Sequence, residues 1–176
     1  GNCAVVKPSA YAPQTSLVIS RMVRECFPPE YITVVEGGRA ENAWLLEQAF
    51  DYIFFTGSTS VGKTVMEAAS AHLTPVSLEL GGKSPVIIEE SADLDLAAKR
   101  IVFGKFINAG QTCVAPDYVL VPESLQDRLQ EKLIHWIDVF YPANKQGLIA
   151  DYPRIVNEKH FNRLLGLLQN KKIIKG

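Results

Sequence analysis

Cysteine is scarce in this chain. The three residues, Cys3, Cys26 and Cys113, are odd in number and far apart. That excludes a disulfide framework and leads us to expect thiols in a reducing compartment, the cytoplasm. Long apolar runs are missing as well. None approaches the ~18 residues that cross a bilayer, and the amino end has neither the charged n-region nor the apolar h-region of a secretory signal. No basic block stands out, and 18 Lys+Arg against 19 Asp+Glu leave a formal net charge of −1. Nucleic acid and anionic membrane are therefore not expected as main partners. Pro and Gly are scattered and no internal repeat is found, so disordered, collagen-like and low-complexity classes are excluded. The chain's 176 residues, 47% of them hydrophobic, suffice for one domain or pieces of two.

Short apolar runs alternate with helical periodicity. Cys3–Val6 reads as a strand stopped by Pro8. Thr15–Cys26 reads as a helix capped by Thr15 or Ser16, with Leu17, Val18, Met22, Val23 and Cys26 as its apolar positions and Pro28-Pro29 as its stop. Ile32–Val35, Tyr52–Phe55 and Val76–Leu80 read as further strands, with helices over Ala40–Phe50 and Val61–Ala71. Beyond Gly81-Gly82, the best candidate for a hinge or domain crossing, come a strand Pro85–Ile88 and a helix Leu94–Ile107 with Asp93 near its start. A strand Tyr118–Val121, a helix Pro122–Phe140, a loop Tyr141–Pro153 and a helix Asn157–Gln169 complete the pattern. Strands alternating with helices predict an α/β fold, a Rossmann-like parallel sheet with flanking helices. It is expected to continue into part of a second α/β domain. The chain opens on Gly1-Asn2 and closes just after a helix pattern, so we expect a piece of something longer, with exposed apolar faces that favour self-association.

Three features carry chemistry. Gly57–Thr64 matches the phosphate-loop pattern GxxxxGK[ST] between a strand and a helix. Glycines let backbone approach an anion, and the helix start offers free N–H groups and a positive dipole end. A nucleoside triphosphate site would use Lys63 and Thr64, with Glu89 as an acidic partner. A dinucleotide site would use the turn and Ser58 instead, and a plain strand-to-helix turn with no ligand is the third reading. Cys113 stands in Asn108–Tyr118 on a turn rimmed by Gly and Pro, poorly placed as core filler, whereas Cys3 and Cys26 look buried and inert. His72, His135 and His160 fall on helices or their ends, so none is placed to serve as base for that thiol. Glu79, inside an apolar strand beside Gly81-Gly82, is either solvated on an open sheet face or held in a cleft to take a proton from water.

Four segments together resemble the NAD(P)-dependent aldehyde dehydrogenases, and are most similar to the class 3 (fatty or aromatic aldehyde) branch. These are Gly1–Ser9, Phe55–Lys63, Leu78–Pro85 and Gly110–Tyr118, with Arg154–Phe161 extending the similarity toward the carboxyl end. The 34 positions from Glu79 to Cys113 match the family's base-to-nucleophile spacing. The resemblance covers the central third of a family member. It implies a partial dinucleotide-binding domain over residues 1–80 and a partial catalytic domain over 81–176. It implies Cys113 as the thiol that attacks the aldehyde, Glu79 as the base for the hydrolytic water, and the Cys113 N–H as an oxyanion donor. Lys7 and Ser9, Gly57 and Ser58, and Leu80 and Gly81 would bind the cofactor, NAD or NADP, with no metal. A homo-oligomer acting on a small-molecule aldehyde is implied, with the isolated chain weakly active at best. Ala10 stands where the family usually has a ribose-binding Glu, which eases tolerance of a 2′-phosphate, and Ser60 where Glu is frequent.

Overall fold

Among the described residues, three β–α–β units set the architecture. A computed structural model describes residues 1–144, 149–168 and 173–175. Its packing divides the chain into two units, Gly1–Leu80 and Gly81–Gly176.

In the first unit, β1 (Ala4–Val6) pairs in parallel with β2 (Ile32–Val34) across the crossover helix α1 (Pro13–Cys26). After α2 (Arg39–Leu46), β3 (Ile53–Thr56) pairs in parallel with β4 (Val76–Glu79) across α3 (Thr59–Ser70). The register Thr56↔Glu79 brings the carboxyl ends of those strands side by side. Leu45, Val65 and Ala69 are the buried apolar residues here. Gly62 is buried against the end of β4, and a Cβ there would meet Leu80 Cδ2 at 2.8 Å.

In the second unit, β5 (Ser84–Ile87) pairs in parallel with β6 (Pro116–Leu120) across α4 (Leu94–Phe106). A single 3₁₀ turn (Glu123–Leu125) leads into α5 (Gln126–Phe140), and α6 (Glu158–Leu165) follows. The core of this unit is Ile88, Leu94, Ala98 and Leu129, with Val86, Ile101, Val119 and Trp136 packed against it. Asp93 caps α4, its carboxylate accepting from the N–H groups of Asp95 (3.0 Å) and Leu96 (3.1 Å).

The expected α/β class is what the chain adopts, as three two-stranded parallel ladders with flanking helices. Element ends move by one to four residues. The carboxyl end of the expected last helix, Gln169, lies outside the described residues, as do residues 145–148 of the expected loop.

Two expectations need correction. The first helix starts at Pro13 with Ala12 as its cap residue, not at Thr15 or Ser16. Pro13 suits the first turn because its missing N–H is one that a helix start leaves unpaired. Ser16 Oγ turns inward to donate to Ser9 O (2.9 Å) and Ala12 O (3.0 Å). The buried face of α1 is then Ser16 and Ser20, two small residues that let it approach β2 closely, while Leu17, Val18 and Met22 face outward. For the same reason Cys26 is exposed, and so is Cys3, which precedes a strand that is itself largely exposed. Neither is the buried thiol its apolar neighbours suggested.

Candidate functional site

Parallel pairing places strand ends together, and in open α/β sheets ligands bind at the carboxyl ends. At the end of β1, Val35 N–H donates to Val6 O (2.9 Å), which sets Lys7 beside Gly37. The Lys7 ammonium donates to Gly37 O (2.6 Å) and Pro8 O (2.9 Å). An ammonium has three N–H donors, so these bonds fix the side chain and leave one donor to offer. Ser9, exposed at the next corner, accepts from Tyr11 N–H (3.2 Å). Gly37 adopts φ +121°, a left-handed conformation that suits glycine.

Glu41, which sequence reasoning passed over, reaches back from the first turn of α2. Its Oε2 accepts from Gly38 N–H at 2.6 Å. Backbone donors, its own and that of Gly38, hold the Glu41 carboxyl below its usual range, with Lys7 adding a smaller pull. A Glu three residues past the helix entry was the available clue.

At the end of β3, Gly57 N–H donates to Glu79 O (2.9 Å) and Thr56 Oγ1 donates to the same oxygen (3.2 Å). Gly57-Ser58 and Glu79-Leu80 therefore lie side by side. Ser58 Oγ caps α3 by accepting from Val61 N–H (3.3 Å) and lies 3.0 Å from Ser60 Oγ. The Glu79 side chain is exposed, solvated rather than closed in a cleft of its own unit. A triphosphate cradle needs the glycine-rich stretch to be a loop up to the Gly-Lys pair. Here α3 already begins at Thr59, so Gly62 and Lys63 lie within the helix. What survives of the motif is a short turn and a helix start, suited to one anionic group.

Cys113 lies in the second unit, on the turn between α4 and β6, with its residue exposed. The turn is built tightly. Ala109 (φ +50°) and Gly110 (φ +74°) both adopt left-handed backbone. Gln111 N–H donates to Asn108 O (2.9 Å) and Ala115 N–H to Thr112 O (3.1 Å). The Cys113 carbonyl lies against Gly82, where a Cβ would come within 2.5 Å of it. Gly81 has open space around its own Cβ position.

Lys105 runs alongside Gly110, 3.3 Å from where a Cβ would stand. Its ammonium is 3.8 Å from Asp117, which also pairs with Lys83 at 3.0 Å. The Lys83 hydrogen bond holds the Asp117 carboxyl below its usual range, and the nearby charges of Lys83 and Lys105 add to the effect. Two of the histidines have hydrogen-bond partners away from Cys113: His72 Nε2 is 3.1 Å from Glu47 O, and His160 Nδ1 accepts from Arg163 Nε (3.4 Å). Among the described residues no group of three or more His, Cys, Asp or Glu is arranged to hold a metal, and no helix is long and apolar enough to cross a membrane.

With the turn, the strand-end glycines and the lysine corner in place, comparison with known proteins is decisive about ancestry. Residues 1–173 match the aldehyde dehydrogenase family. The chain belongs to that family. It is 52% identical over 173 residues to 4,4'-diaponeurosporen-aldehyde dehydrogenase of Staphylococcus aureus, a match covering 98% of this chain and 38% of the relative. It is 47% identical to aldehyde dehydrogenase family 3 member A2 of Mus musculus, covering all of this chain and 36% of that protein, in keeping with the class 3 resemblance. Among solved structures, a Mycobacterium tuberculosis aldehyde dehydrogenase complexed with NAD+ superposes with a TM-score of 0.81 at 32% identity, over 94% of this chain and 35% of that one. The chain thus spans less than two fifths of the length of these relatives.

Proposed function

We propose that this chain carries the nucleophile, the base and part of the cofactor site of an NAD- or NADP-dependent aldehyde dehydrogenase. Residues 1–80 would serve as a partial dinucleotide-binding domain and residues 81–176 as a partial catalytic domain. The observation that carries the reading is the family match over residues 1–173, which includes an exposed cysteine held on a tightly bonded turn.

In this reading the Cys113 thiolate adds to the aldehyde carbon, forming a C–S bond and an alkoxide. The N–H of Cys113 donates to that developing oxyanion. The nicotinamide, when bound, supplies the hydride acceptor. Loss of hydride from the carbon of the Cys113 adduct leaves a thioester. The Glu79 carboxylate then takes a proton from water, whose oxygen attacks the thioester, breaks the C–S bond and releases the carboxylate product. Lys7 would offer its remaining N–H to the ribose hydroxyls, with Ser9 at the same corner. Gly57-Ser58 at the start of α3 would hold the pyrophosphate, and Leu80 and Gly81 would line the nicotinamide end. These residues fit such a cofactor: a tethered ammonium donor, a helix start with an exposed turn before it, and a glycine with free space around it.

A solved relative complexed with NAD+ supports that cofactor. Ala10, which adds no charge near Lys7, favours acceptance of a 2′-phosphate as well. Turnover by this chain alone would be weak, because it spans less than two fifths of the length of the relatives it matches. We also propose self-association into homo-oligomers, supported by exposed apolar side chains such as Phe54, Ile87 and Val114.

The test is limited alkylation by iodoacetamide followed by peptide mass analysis, with and without a medium-chain or aromatic aldehyde. Labelling should favour Cys113 over Cys3 and Cys26, and the aldehyde should slow it at Cys113 alone. Equal labelling of all three thiols, unaffected by aldehyde, would overturn the assignment. Reduction of NAD(P) at a rate comparable to a complete enzyme would overturn the expectation of weak turnover.

A further inference from the structure

Gln111 sits two residues before Cys113, and both ends of its side-chain amide are hydrogen-bonded. Its Nε2 donates to Asn108 O (3.2 Å) and to Arg154 O (3.2 Å), while Oε1 accepts from Val156 N–H (2.9 Å). Both N–H donors and one carbonyl lone pair of the amide are therefore used. The first bond closes the cysteine turn on itself, a closure doubled by Asn108 Nδ2 donating to Gln111 O (3.2 Å). The other two reach a segment 43 and 45 residues further along the chain. That segment is itself held. Tyr152, just before it, packs on Phe106 at the end of α4 (ring centroids 6.2 Å apart) and on Tyr141 (5.3 Å), and burial raises the Tyr152 hydroxyl pKa above its ordinary value, with Tyr141 adding to it. Past it, Asn157 caps α6 by accepting from His160 N–H (2.9 Å).

A simple turn needs no such reach. Gln111 N–H and the Asn108 amide already close it locally, so the two long-range bonds fix where the turn stands, not whether it forms. We propose that Gln111 is a positioning residue, one that clamps the Cys113 turn to the Arg154–Val156 backbone and so sets the placement of the thiol. The role rests on the reading of Cys113 as nucleophile. It is a demanding one, because a backbone shift of an ångström or so at a reacting group costs rate even when the fold survives.

The whole chain is compared with its Gln111→Ala and Gln111→Glu variants. Iodoacetamide labelling at Cys113, measured against Cys3 and Cys26 over about pH 6 to 10, gives a rate profile, and amide exchange at Val156 reports the clamp itself. Gln111→Ala should speed Val156 exchange by about tenfold. It should also change the Cys113 profile by about threefold or more, with Cys3 and Cys26 unmoved. Gln111→Glu keeps an acceptor for Val156 N–H and should restore its protection, while the two donated bonds stay lost. A Cys113 profile that superimposes in Gln111→Ala and the unaltered chain overturns the proposal, whatever Val156 does. If Gln111→Ala loses its cooperative thermal transition, Gln111→Glu decides by the same measure, since an unmoved Cys113 profile there overturns the role equally. Unselective labelling of the three thiols in the unaltered chain counts against Cys113 as nucleophile. In that case the clamp still stands or falls on exchange at Val156.

Discussion

The carbonyl oxygen of Cys113 lies where Gly82 leaves room for it, and a Cβ on Gly82 would stand 2.5 Å from that oxygen. The neighbouring Gly81 has no atom from beyond its two chain neighbours within 4 Å of its own Cβ position. Two adjacent glycines thus have different reasons to be glycine.

Gly82→Ala should destabilise the second unit by about 1–3 kcal/mol, because backbone and not a flexible side chain must move. Gly81→Ala should leave stability within about 0.5 kcal/mol and, on the proposed reading, weaken cofactor binding instead. Denaturant titration followed by tryptophan fluorescence, with NAD+ titration alongside, separates the two. Equal melting of both variants would contradict the assignment.

Asp93→Ala removes the carboxylate that caps α4 at two N–H groups. A loss of about 1 kcal/mol is expected, and Asp93→Asn should recover most of it. Because Leu94 and Ala98 of α4 belong to the core of the second unit, the loss should appear in global unfolding rather than in fraying alone.

Acid should weaken the corner where Asp117 meets Lys83 and Lys105. A carboxyl whose folded pKa lies below its unfolded value of about 3.9 stabilises the fold above that value. Its contribution fades as pH falls through the lower, folded pKa. Asp117→Asn should therefore flatten the acid limb of stability below about pH 4 while changing little of its shape near neutrality. An acid limb identical to that of the unaltered chain would show the pair to be inert.

Ala10→Glu tests cofactor choice. A carboxylate near Lys7 would repel a 2′-phosphate and accept a ribose hydroxyl, so affinity for NADP should fall relative to NAD by about tenfold or more. Isothermal titration with both cofactors checks this, and an unchanged ratio would place the 2′ position away from residue 10.

Alternation of short β-branched runs with helical periodicity was legible, because βαβ units need both periods in turn. The start of α4 near Asp93 and the strand-to-helix turn at Gly57-Ser58 were legible too, since one carboxylate or one glycine suffices to mark them. The α1 face was not. Its apolar residues outnumber Ser16 and Ser20, yet close helix–strand packing selects small side chains, so periodicity pointed to the wrong stripe. Neighbour identity misled in the same way for Cys3 and Cys26. The reach of Gln111 to Arg154 and Val156 left no local mark, since a bond across more than 40 residues has no period to reveal it.

Among the described residues each of the three ladders holds two strands, so each strand is paired along one flank. A free flank is a row of backbone donors and acceptors that any extended peptide can match without remodelling what is already built. Raising protein concentration should therefore recruit copies of this chain by strand addition, seen as growing β signal in infrared spectra. Short proline-bearing peptides that fill those flanks should keep preparations dispersed.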